Sequence, residues 1–252
     1  MLKSIIKESF KETNECIILL APLVVIVTFI FMYSLYIYNS AANLPMFFLS
    51  STALVVVVGV CFSAWLYLLR KIRNLSDKVF VYELDRTSEL KKIFTSVSEG
   101  VSSLFIPISL FTVFYALLYG YFAILFYEFG VNYLFIFVDT GLSYFTPENI
   151  FTFLCVGLLH YILLFTLPEI VYIEKNPYKA LINSVKKLII AFPQSLVLFL
   201  YIFCILFLVY LISIFLLSLS SYFYLIVSIF LYYVLLYVFV LIFGAYEKLF
   251  LK

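Results

Sequence analysis

Apolar residues run along this chain in six long stretches, 17–38, 46–69, 103–127, 150–173, 190–217 and 222–246, separated by shorter connectors richer in polar residues. An α-helix rises about 1.5 Å per residue, so about 20 residues cross the roughly 30 Å hydrocarbon layer of a bilayer. No water is present there to satisfy peptide groups. Each stretch must therefore close its own backbone hydrogen bonds, and the pattern predicts six transmembrane helices, the β-branched run at 55–58 included. Strands of a membrane barrel would be roughly ten residues long and alternate in polarity, which excludes them.

A second pattern precedes each odd-numbered stretch. Leu2, Ile5, Ile6 and Phe10 fall near one face of a helix whose other positions hold Lys3, Lys7, Lys11, Glu8 and Glu12. Leu90, Ile93, Phe94, Val97 and Val101 do the same against Lys91, Lys92 and Glu99. In the third, Leu181, Val185, Leu188, Ile189 and Phe192 oppose Asn183, Lys186 and Lys187. Apolar spacing of three to four with lysines opposite predicts helices in the headgroup plane, their lysines reaching anionic lipid. The expected fold is all-α and integral to the membrane, one domain over residues 1–252. It comprises three repeats of an interfacial amphipathic helix followed by a transmembrane hairpin. Pro22, Pro107 and Pro193 follow Ser9, Ser96 and Ser184 by 13, 11 and 9 residues, an offset that drifts between the repeats.

Charge placement supplies an orientation. The basic residues lie before the first stretch, between the second and third, between the fourth and fifth, and after the sixth; connectors 39–45, 128–149 and 218–221 hold no Lys or Arg. An even number of spans gathers them all on one side. Lys and Arg favour the cytoplasmic side, so both termini are expected there, in the cell membrane. Ser40-Ala41-Ala42 has the small-x-small form of a signal-peptidase site, but about 22 apolar residues precede it, longer than a signal peptide's core. An uncleaved first helix is expected. Tyr33, Tyr36 and Tyr38, with Tyr222 and Tyr224, fit an outer aromatic belt.

Composition agrees with lipid as the main solvent: 66% of the 252 residues are apolar and 12% charged, too few to coat a water-soluble domain. The net charge of +2 suggests no nucleic-acid partner. The four cysteines, at 16, 61, 155 and 204, form no CxxC pair for zinc or redox exchange and are expected as apolar packers.

Residues 168–187, PEIVYIEKNPYKALINSVKK, carry a resemblance. Glu174 after a helix, then Ala180, Leu181 and Ser184 ahead of lysines and a new span, look like the membrane domain found beside glycerophosphoryl diester phosphodiesterases and in its stand-alone relatives. The resemblance implies a multi-helix bundle, for most members without a known activity. Phosphodiesterase chemistry resides in a separate soluble domain, so no catalytic residue carries over.

Few side chains offer chemistry. His160, the single histidine, falls near the middle of the fourth span, where an ionisable group is a functional candidate; the alternative is a hydrogen bond to a tyrosine or carbonyl of a neighbouring helix. Glu169 follows Pro168 near the end of the same span, where interfacial exposure is expected. Nine residues at about 100° each place His160 and Glu169 on opposite faces. Pro168 also frees the Leu164 carbonyl. Gly59 and Ser63 make a small-xxx-small pair that favours helix contact within the bundle. The inner loop 70–92 mixes both signs of charge, as expected of a solvated segment at the headgroups. In the outer loop, Glu128, Asp139 and Glu148 accompany no basic residue. Asp139-Thr140-Gly141 spells the aspartic-protease triplet, yet Asp77 and Asp85 lie across the membrane, so no dyad forms. Metalloprotease, nucleophile-elbow, phosphate-loop and dinucleotide motifs are absent, and no catalytic, cofactor or metal residues are assigned. The expected function is a non-enzymatic membrane module or accessory subunit. The alternative is a small secondary transporter or permease subunit using His160. Expected partners are anionic headgroups at the cytoplasmic face and a membrane or cytoplasmic protein.

Overall fold

The computed structural model describes residues 2–39, 44–76, 83–128, 147–219 and 224–251, and every element among them is a helix. Ser40-Ala41-Ala42, Asp77, Asp139-Thr140-Gly141 and Tyr222 lie outside the described residues, as do the side chains of Tyr36, Tyr38, Glu128, Glu148 and Tyr224.

The elements run α1 (Leu2–Glu15), a 3₁₀ turn (Ile17–Leu19), α2 (Leu20–Asn39), α3 (Leu44–Ser76), α4 (Glu83–Thr95), α5 (Val97–Glu128), α6 (Pro147–Leu163), α7 (Thr166–Tyr172), α8 (Pro177–Ile190), α9 (Phe192–Leu219) and α10 (Tyr224–Phe250). Within them Leu49–Leu75, Val97–Leu118, Leu154–Tyr172, Phe192–Ser213 and Ile226–Phe250 are long and apolar enough to cross a membrane. A sixth is counted when Lys3–Glu15 and Ile17–Ile30, bent by 64°, are taken together. The molecule is a helical, polytopic membrane protein.

Local sequence explains the breaks. Pro168 has no N–H to give the Leu164 carbonyl and its ring crowds that oxygen. The fourth span accordingly parts at Leu164–Phe165, between α6 and α7. The Asn176 side chain caps α8 by accepting from the backbone N–H groups of Tyr178 and Lys179, at 3.0 and 3.3 Å, and Pro177 opens that helix. Both are favoured at a helix start. At the joint between α1 and α2, the Trp65 indole N–H donates to the Leu19 carbonyl at 3.1 Å, tying the bend to α3.

The core divides in two. Leu19, Trp65, Leu69, Ile108 and Phe243 sit in one cluster and Phe165, Leu198, Leu241 and Tyr246 in the other, so α10 contributes to both. Small residues set the closest approaches. A Cβ on Gly59 would lie 2.0 Å from Ser109 Oγ, placing the Gly59 side of α3 directly against α5, and one on Gly100 would lie 2.1 Å from Tyr67 Cγ.

The amphipathic stretches face differently from the sequence expectation. On α1 the buried positions are Ile5, Ser9 and Thr13, while Phe10 is 56% exposed. On α8, Ala180, Ser184 and Leu188 are buried, whereas Ile189, and Phe192 at the start of α9, are exposed. In lipid, apolar surface gains little by turning inward, and close packing of small residues decides which face meets the bundle.

Candidate functional site

The ionisable side chains buried deepest gather where α1, α3, α7, α8 and α10 meet. Arg73, in the last turn of α3, has a side chain only 4% exposed. Its Nε donates to Glu12 Oε2 of α1 at 2.9 Å and its Nη2 to Glu247 Oε2 of α10 at 3.2 Å. Nη1 lies 3.4 Å from the Tyr172 hydroxyl of α7. One guanidinium thus reaches three helices, using the fan of donors that only arginine offers. Three turns of α10 matter less here than one residue: Gly244 leaves room for this cation, since a Cβ there would sit 3.2 Å from both Arg73 Nη2 and Ser9 Oγ.

Glu169 anchors the second half of the site. It is 1% exposed and accepts from Lys187 Nζ at 2.6 Å, from Asn183 Nδ2 at 3.2 Å and from the Tyr246 hydroxyl. Lys187 also stands 4.6 Å from the centre of the Tyr246 ring. Unpaired, a buried carboxylate would cost several kcal/mol; with three donors its charge is matched.

The two halves exchange partners. Tyr172 of α7 donates to Glu247 of α10, while Tyr246 of α10 donates to Glu169 of α7. The two tyrosine rings stack between these bonds, centroids 5.9 Å apart and planes 12° apart. A second arginine, Arg70, covers the outer side: its guanidinium carbon lies 4.9 Å from the Tyr172 ring centre, and its Nη1 donates to the Val171 carbonyl at 2.8 Å. Cation, carboxylate and phenol therefore follow one another in the order Arg73, Glu247, Tyr172, and again as Lys187, Glu169, Tyr246. Beside this cluster, Cys16 is buried among the apolar side chains of the first core cluster, as a free cysteine.

The residues singled out from sequence have separate surroundings. His160 on α6 is exposed; its Nδ1 lies 2.8 Å from the Val156 carbonyl and its Nε2 3.2 Å from the Tyr115 hydroxyl of α5. A carbonyl only accepts, so Nδ1 carries a proton, and both ring nitrogens are engaged. Glu169 is buried where exposure was expected, and it pairs with Lys187 rather than with His160. Gly59 meets α5, and the buried Oγ of Ser63 has no hydrogen-bond partner among the described residues, like the hydroxyl oxygens of Ser109, Thr166 and Ser184.

Sequence reasoning gave no role to Arg73, Glu247, Tyr172 and Tyr246, and assigned Glu12, Asn183 and Lys187 to the polar faces of the amphipathic helices. The available signal was spacing. Arg70 and Arg73, like Glu169 and Tyr172, stand three residues apart on one helix face, each at the end of a long apolar run. Among the described residues no group of three or more His, Cys, Asp or Glu is placed to hold a metal ion. The arrangement is rich in donors around each carboxylate, which suits it to joining helices.

No protein-family model, curated protein or solved structure matches the chain.

Proposed function

We propose that this protein is a non-enzymatic module of the cell membrane, an accessory subunit with both termini in the cytoplasm that assembles with another membrane or cytoplasmic protein. The observation that carries the reading is the fate of the buried charges. Arg73, Glu12 and Glu247, and separately Glu169 and Lys187, are matched to one another across helices, which holds a scaffold together. The likeness of residues 168–187 to the membrane domain beside glycerophosphoryl diester phosphodiesterases supports the same reading. So does the clustering of Lys and Arg on alternate connectors, which favours a cytoplasmic location for the charged end.

A threefold organisation is part of this proposal. The start of α5 packs on α3, where Tyr67 meets Gly100 and its hydroxyl lies 3.0 Å from Ser96 Oγ. In the same way α8 packs on α7, and α1 on α10 through Ser9 beside Gly244. Each amphipathic segment thus rests on the end of the preceding hairpin, with α1 completing the circle on the last.

Affinity purification from native membranes after mild cross-linking tests the accessory role. A stoichiometric protein partner is expected, and its repeated absence would end that reading. A second reading, transport through His160, draws on the exposed imidazole and its link to Tyr115. Proteoliposome uptake measured against pH separates the two: the module reading expects no uptake dependent on His160, and a loss of uptake in His160→Ala would favour transport.

A further inference from the structure

The structure divides the basic residues on and around the amphipathic helices α1 and α8 into two sets. Lys187 and Arg73 point into the bundle and are neutralised there, and Lys248 is paired with Glu8. Lys3, Lys7 and Lys11 of α1 are exposed, and their spacing of four sets them in one row. Lys175, Lys179 and Lys186, just before and along α8, are exposed as well.

Two further features accompany each row. Large apolar side chains are exposed on the same segments: Phe10 on α1, with Ile17 and Ile18 in the turn after it, and Tyr178, Ile182 and Ile189 on α8. A face that offers ammonium groups next to exposed apolar side chains matches the boundary between headgroups and acyl chains, where the lysine stems lie on hydrocarbon and their ends reach phosphate. Acidic side chains of the same helices are drawn aside. Glu12 is held by Arg73 and Glu8 by Lys248, leaving half-buried Glu15 on α1, and Glu174 Oε1 accepts from the Asn176 backbone N–H.

From this sorting we infer that the rows Lys3–Lys7–Lys11 and Lys175–Lys179–Lys186 are docking surfaces for the headgroups of anionic phospholipids, and that Lys187 is not part of them. The inference rests on the chain spanning a membrane with these helices at its cytoplasmic face, and it names the residues that meet the lipid. Attraction of this kind is electrostatic and disappears when the Debye length shrinks to about 3 Å near 1 M salt.

The test uses the full chain in nanodiscs of phosphatidylcholine, alone or mixed with phosphatidylglycerol, with thermal unfolding as the readout. Phosphatidylglycerol is expected to raise the Tm of the wild type. That rise is expected to shrink in K3Q/K7Q/K11Q and in K175Q/K179Q/K186Q, and to vanish in the sixfold variant and at high salt. All three variants are expected to match wild type in phosphatidylcholine alone, because their side chains make no interior contact. Lys187→Gln is expected to do the reverse, lowering Tm in both lipids while keeping the full rise. A rise that survives in the sixfold variant would overturn the inference. So would an equal rise from inorganic phosphate added to neutral nanodiscs, which would identify a site for a free anion. No partner protein is present in this assay, so its failure is distinguishable from failure of the accessory-subunit reading.

Discussion

At the scale of single residues, the decisive side chain is Arg73, because two carboxylates from two helices depend on it. Removing the cation takes away the guanidinium that Glu12 and Glu247 share. Breaking a buried ion pair from one side typically costs about 3–5 kcal/mol. Arg73→Ala is therefore expected to lower unfolding stability in detergent by about that amount. Adding Glu12→Gln and Glu247→Gln to an Arg73→Met background is expected to restore much of the loss, since the buried charges then go together. A single Arg73→Ala variant as stable as the wild type would contradict this account of the cluster. Glu169 illustrates the limit of reading residues one at a time. Its position after Pro168 marks a helix end, which by itself indicates water, whereas its burial comes from three donors on α8 and α10 that are 14, 18 and 77 residues further along.

At the scale of helices, two glycines inside helices differ sharply in what they permit. A Cβ on Gly100 would strike the Tyr67 ring, while one on Gly157 of α6 would meet nothing within 4 Å. Gly100→Ala is expected to cost about 1–3 kcal/mol through overpacking between α5 and α3. Gly157→Ala is expected to be neutral or to stabilise by up to about 1 kcal/mol through helix propensity alone. Unfolding curves of the two variants in one detergent check both, and equal effects would refute the close approach at Tyr67. Much of this level was legible beforehand: the apolar runs locate the helices, although the fourth was read as one unbroken span and Pro168 only as freeing the Leu164 carbonyl. The rotation of α1 and α8 about their own axes was not. A polar face normally belongs at the headgroups, but Asn183 and Lys187 have a buried carboxylate to answer, and only the folded arrangement places Glu169 opposite them.

At the scale of the whole molecule, α1 is the piece that joins the two ends of the sequence. It meets α3 through Glu12 and α10 through Ser9, Glu8 and Asn14, the last accepting from the Tyr233 hydroxyl at 2.8 Å. In a background without the native cysteines, Ser9→Cys combined with Gly244→Cys is expected to form a disulfide on mild oxidation, seen as a mobility change that reduction reverses. The short reach between the two positions supports this geometry. Failure of the pair to cross-link while the protein remains folded would place α1 elsewhere.

Partner exchange between α7 and α10 also sets a timetable for biosynthesis. Arg73 finds Glu12 as soon as the first hairpin is made, and Glu169 finds Lys187 only 18 residues later, but Tyr246 follows Glu169 by 77 residues, with Glu247 next after it. Until then Tyr172 lacks its acceptor and Arg73 its second counter-ion. A chain stopped short of α10 would lack the Tyr246 hydroxyl that Glu169 accepts from and the Glu247 carboxylate that Arg73 and Tyr172 share.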